Sequence, residues 1–103
     1  MGTFILIAML LKMKNSKLRD GDIGITGDYQ FFAVKRHIDA NNYQCYWGVF
    51  VTNSTNIETV RLKPQNYFVH RKATPDDIKK LKSFLFEKGY FLKDNKIIKC
   101  NEF

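Results

Sequence analysis

The chain has 103 residues, 45% of them apolar and 15% aromatic, with 17 Lys and Arg against 10 Asp and Glu for a formal charge of +7. That length supports one hydrophobic core and excludes a deep enzyme cleft combined with a cofactor domain. Cys45 and Cys100 belong to no C-x-x-C pair, which argues against a zinc or thioredoxin-like motif; they read as reduced thiols, with a disulfide between them the less favoured alternative.

The amino terminus carries a continuous apolar run over residues 4–11, far short of the roughly 20 residues a membrane-spanning helix needs. No basic residue precedes it and no small-x-small pattern follows it, so it does not read as a signal peptide; Lys12, Lys14, Lys17 and Arg19 come after it. Leu6 stands where an N-myristoylation motif starting at Gly2 needs Ser or Thr. Three readings stay open: an element packed on the domain, a membrane-surface anchor, or residues upstream of a true start at Met13. The first and third are favoured over the anchor. Residues 1–16 are therefore taken as an apolar and basic extension, and 17–103 as a single domain.

From Arg19 onward, turn chemistry separates short strands. Asp20, Gly21 and Asp22 form a turn, Ile23 and Ile25 flank Gly24 in a first strand, and a second runs over 29–35 and ends near His37. After a turn at 39–42 comes the longest strand, 43–51, with Tyr43, Cys45 and Trp47 expected on one face and Tyr46 and Phe50 on the other. A fourth strand over 57–62 places Ile57, Thr59 and Arg61 opposite Glu58, Val60 and Leu62, and Pro64 ends it. Residues 67–71 form a fifth strand that feeds a helix.

The helix carries its own start and stop. Thr74 suits the N-cap and Pro75 the first helical position, with Asp76 and Asp77 at the positive end of the helix dipole and Lys82 and Lys88 toward its negative end. Gly89 ends it. Ile78, Leu81, Phe84 and Leu85 make one apolar face, with Lys79, Lys80, Ser83 and Glu87 opposite. Phe86 lies off that stripe and is expected under the following strand; the alternative is an exposed contact for a partner. Residues 90–92 and 96–99 form a terminal hairpin. Short connections favour antiparallel neighbours. The expected fold is α+β: a strongly bent antiparallel β-meander or small SH3-like barrel, with one amphipathic helix over about 75–88 packed on it and a C-terminal β-hairpin.

The Asp20-Gly21-Asp22 opening, the aromatic meander, the run Arg71-Lys72-Ala73-Thr74-Pro75 with its following acids, Lys88-Gly89-Tyr90-Phe91 and Lys96-Ile97-Ile98-Lys99 together resemble small uncharacterised proteins of bacteriophages and mobile elements. The resemblance spans roughly residues 17 to 99 and leaves the first dozen outside, which favours the start at Met13. It marks a fold and implies no reaction. A setting in the cytoplasm of a bacterial host is what it implies for location.

Motifs for chemistry are sparse. His37 and His70 have no metal-ligand spacing and read as surface or capping residues. Asp20, Asp22 and Asp28 read as turn formers rather than as a cation site. Ser16, Ser54 and Ser83 lack a nucleophile elbow, and Gly21, Gly24 and Gly27 precede no helix, so they form no phosphate loop. Asn53-Ser54-Thr55 matches the glycosylation pattern, which carries little weight in a chain with no export signal. No cofactor, metal or enzymatic activity is expected.

Charge and surplus aromatics leave two functions. The favoured one is a protein-interaction module, an accessory protein or inhibitor docking on an acidic surface, with homo-oligomerisation open. The alternative is a nucleic-acid-binding small barrel, with Lys35, Arg36, Arg61 and Lys63 on phosphates and Tyr46 or Phe50 stacking on bases.

Overall fold

A computed structural model describes residues 17–27, 29–52 and 56–100. The readings of the apolar run 4–11, Met13, Ser16, Asp28 and the Asn53-Ser54-Thr55 pattern fall outside these residues. The elements run β1 (Ile23–Thr26), β2 (Gln30–Asp39), β3 (Asn42–Thr52), β4 (Asn56–Arg61), β5 (Gln65–Phe68), β6 (Arg71–Lys72), α1 (Pro75–Glu87), β7 (Tyr90–Lys93) and β8 (Lys96–Lys99). The antiparallel α+β expectation holds, and the sheet is not a closed barrel.

Strands β1 to β4 are a consecutive antiparallel meander, as their short connections require. β5 departs from it. Instead of continuing outward from β4 it returns to β3, so β4 pairs with residues 48–52 and β5 with residues 42–45 on the same edge. The expected fifth strand is thus two pieces, because β6 pairs with β1 at the opposite edge of the sheet.

Val69 and His70 make the crossing. Val69 N–H donates to the Asn41 carbonyl at 2.8 Å, and His70 N–H donates to the Ile25 carbonyl at 3.1 Å. Gly24 sits at the centre of β1 because the crossing chain presses on it: a Cβ there would run into Val69 and Leu18 and lie 3.3 Å from the Arg71 carbonyl. No other residue type fits that approach without displacement.

The helix forms as its local signals dictate. Thr74 Oγ1 accepts from Asp77 N–H at 3.1 Å, and Asp77 Oδ2 accepts from Thr74 N–H at 2.9 Å, a reciprocal capping box. Leu81 and Leu85 are fully buried and Ile78 and Phe84 partly so. One detail differs: the last turn carries no basic residue, since Lys88 is the C-cap itself and Lys82 lies further back. β7 and β8 close through Asp94 and Asn95, both at positive φ (51° and 62°), the backbone a two-residue hairpin requires.

The sheet buries both faces. On the helix side, Ile23, Ile25, Phe31, Ala33, Trp47 and Val49 meet Leu81 and Leu85, with Leu92 and Ile97 of the hairpin packed alongside. On the other, Phe32, Val34, Tyr43 and Cys45 pack with Leu18 and Val69, flanked by Phe50 and Tyr67. This corrects the expected alternation along β3, because Tyr43 and Cys45 lie on the face opposite Trp47. It also corrects β4, where Ile57 and Val60 both reach the helix-side core. Both corrections have one cause. A bulge inserts an unpaired residue and reverses the side-chain alternation beyond it, and the ladders skip Tyr46 in β3 and Glu58 in β4.

Candidate functional site: a cleft beneath Tyr46

The bulge at Tyr46 is matched by a second one directly across the ladder. Ala33 pairs with Trp47 and Val34 with Cys45, which leaves out Tyr46; Val34 with Cys45 and then Arg36 with Gln44 leaves out Lys35. The two skipped residues meet, Lys35 Nζ lying 5.8 Å from the centre of the Tyr46 ring. Tyr46 is turned outward, 39% exposed, and its phenol donates to Asp20 Oδ1 at 3.0 Å. Accepting that proton favours the neutral phenol, so the Tyr46 pKa is raised above the usual tyrosine value, chiefly by the Asp20 hydrogen bond.

At the same level, the opposite edge of β3 also loses its partner. Leu62, Lys63 and Pro64 form the jog between β4 and β5, which steps away from β3 beside Tyr46 and Trp47. A cleft of about 600 Å³ opens there. Its lining comes from four separate stretches: Asp20 and Gly21, Tyr46 and Trp47, Leu62 and Pro64, and the β7–β8 turn through Ile97.

The turn is tied down from both sides. Trp47 Nε1 donates to the Asn95 carbonyl at 2.7 Å, and the Asn95 side-chain amide donates to the Gly21 carbonyl. The result is a concave apolar surface of Tyr46, Trp47, Leu62, Pro64 and Ile97, with Asp20, Asp94 and Lys96 at its rim. Apolar walls with a few placed polar groups are the usual chemistry of a binding cleft.

The six residues expected to bind a partner do not converge. Lys35 and Tyr46 meet at the cleft, and Lys63 lies on the exposed jog beside it. Phe50 and Arg61 meet elsewhere, on the opposite sheet face. Phe50 is half-buried there against Phe32 and Tyr67, with ring centres 5.6 and 5.9 Å away, and the Arg61 guanidinium lies over it at 5.4 Å. Arg36 is a third location, its Nε donating to Gln44 Oε1 at 2.9 Å.

Asp20, Trp47, Leu62, Pro64, Asn95 and Ile97 were not singled out as site residues. Only the Gly and Asp turn signals and the Pro64 break pointed to loops that could meet there. His37 is a residue of β2 whose side chain reaches the turn that follows, its Nε2 lying 2.8 Å from the Ala40 carbonyl. Asp22 behaves as a turn former, accepting from Arg19 N–H at 2.8 Å. Both cysteines are free thiols, and burial pushes the Cys45 pKa up to about 12. Among the described residues, no helix is long and apolar enough to cross a membrane.

Compared with known proteins, the chain matches no family model, and no curated protein or solved structure shows significant similarity to it.

Proposed function

We propose that this chain is a non-enzymatic protein-interaction module that takes a segment of its partner into the Tyr46 cleft. The observation that carries this reading is the cleft's composition: five apolar walls with carboxylates at the rim. Three of its polar side chains are spent on architecture, Tyr46 on Asp20, the Trp47 indole on the Asn95 carbonyl and the Asn95 amide on the Gly21 carbonyl. Phosphates would meet Asp20 and Asp94 at this aromatic surface, and Phe50, the other expected stacking ring, already lies under Arg61 and against Tyr67. Nucleic-acid binding needs free aromatic faces along a basic track, so the protein-partner reading is the better supported. The accessory role in a phage or mobile element, in a bacterial cytoplasm, belongs to this proposal. So does an SH3-like reading of the sheet, which gains support from the two-residue passage of Val69 and His70 between opposite edges.

Trp47 is the sole tryptophan and forms part of the cleft wall, so its emission reports occupancy. Peptides selected from a displayed library on the purified protein are expected to shift that emission saturably. Leu62→Asp, at a half-exposed wall position, is expected to abolish the shift while leaving the thermal transition in place. A library yielding no such peptide, together with single-stranded DNA binding that weakens steeply with salt, would overturn the proposal in favour of nucleic acid.

A further inference from the structure

Phe86 is 72% exposed, the most exposed large apolar side chain among the described residues. The helix stripe of Ile78, Leu81, Phe84 and Leu85 faces the core, and Phe86 lies outside it, uncovered by the strand that follows. It is not an isolated side chain. Phe86 borders a shallow groove of about 410 Å³ between α1 and β7, together with Phe91 and Leu92 of β7 and Lys79, Lys82 and Ser83 of the helix. Lys79, Lys82, Ser83 and Phe86 recur at three- and four-residue steps, which places them along one side of α1.

We infer that this groove is a second interaction surface, fitted to an acidic protein segment that inserts an apolar side chain beside Phe86. The apolar floor and the lysines belong to one surface, so the complementary partner carries carboxylates around an apolar anchor. The chain's charge of +7 steers such a partner from a distance. The ion pairs among the described residues, Arg71–Asp77 at 2.8 Å and Lys72–Asp22 at 3.6 Å, take up neither Lys79 nor Lys82.

Other occupants fit less well. A two-fold dimer across Phe86 would set the lysines of one copy against those of the other. A membrane surface needs a broad apolar helix face, and that of α1 is spent on the core. This groove shares no lining residue with the Tyr46 cleft, so the inference stands apart from the proposed function.

The test uses the full chain and a labelled synthetic peptide with Leu and Phe at helical spacing and Glu elsewhere, with three comparisons: the same peptide bearing Lys for Glu, a thymidine 20-mer, and phosphatidylcholine–phosphatidylglycerol vesicles. The acidic peptide is expected to bind, to shift the amide resonances of Lys79, Lys82, Ser83, Phe86, Phe91 and Leu92, and to lose affinity as salt rises. Phe86→Ala is expected to weaken it about thirtyfold with the unfolding temperature kept, and Lys79→Gln with Lys82→Gln to weaken it further. Leu62→Asp, which empties the Tyr46 cleft of ligand, should leave this binding intact. The inference is overturned by equal binding of the lysine peptide, by shifts confined to other surfaces, by indifference to Phe86→Ala, by tighter binding of the 20-mer or vesicles, or by self-association that Phe86→Ala dissolves.

Discussion

Lys35 and Tyr46 are left out of the β2–β3 ladder at two bulges that oppose each other, and they face each other with Lys35 Nζ 5.8 Å from the Tyr46 ring centre. One bulge alone would leave the two strands out of step for the rest of their length. Here the second restores the pairing, so Arg36 meets Gln44 and His37 meets Tyr43, before a further shift at Ile38 next to the turn. The opposed pair of bulges lies where Tyr46 turns out over the cleft.

That contact should be measurable as a coupling. In a double-mutant cycle of Lys35→Ala and Tyr46→Ala, followed by urea unfolding, the pair is expected to contribute about 0.5 kcal/mol, the scale of an exposed cation–π contact. The cycle removes the separate loss of the Tyr46–Asp20 hydrogen bond from the comparison. A coupling of zero would make the approach of the two side chains incidental.

Gly24 should tolerate substitution poorly. An added methyl meets Val69 on the crossing segment, Leu18 from the stretch ahead of β1 and the Arg71 carbonyl, and overpacking of this kind costs about 1–3 kcal/mol. Gly24→Ala is expected to fall at the upper end of that range in chemical denaturation, because backbone as well as side chains must yield. Val69→Ala in the same chain should recover part of the loss. A Gly24→Ala variant as stable as the parent would mean that the crossing does not press on β1.

Asp77 gives the fold an acid-sensitive joint. The Arg71 hydrogen bond, joined by those from Thr74, holds its carboxyl at about 2, below the ordinary 3.8. The folded chain therefore takes up this proton less readily than the unfolded chain does. The stabilisation is complete above about pH 4 and drains away as pH falls toward 2. Asp77→Asn is expected to lower the unfolding temperature at neutral pH, with the gap to the parent narrowing through that window. A gap that stays constant down to pH 2 would show that the charge on Asp77 plays no part.

How much could be read in advance follows from how local each cause is. The helix was legible because Thr74, Pro75 and Asp77 act within one turn, and the β7–β8 hairpin because Asp94 and Asn95 suit positive φ. The return of β5 to β3 was not, because β4 and β5 share an edge that only the whole sheet defines. Strict alternation along β3 assigned Trp47 and Cys45 to one face, and a single bulge at Tyr46 undid it. Of the cleft, Tyr46 alone was anticipated together with its neighbours Lys35 and Lys63. The rest of its wall comes from turns up to 74 residues apart in sequence, joined by the bond from the Asn95 amide to the Gly21 carbonyl. Phe86 was visible as a misfit to the helical stripe, and its exposure depended on where β7 came to lie.

The two cysteines should separate cleanly by reactivity. Cys45 is fully buried in the face opposite the helix, and burial lifts its pKa to about 12, so at pH 8 it stays a protonated thiol and a poor nucleophile. Cys100 is half-buried after β8 and also free. Ellman's reagent is expected to react promptly with a single thiol in the native protein and with both in concentrated guanidinium, and Cys100→Ser should abolish the native reaction. Two prompt native equivalents would mean that the core around Cys45 opens readily. None in either state would mean that the two cysteines have been oxidised, against the free thiols of this fold.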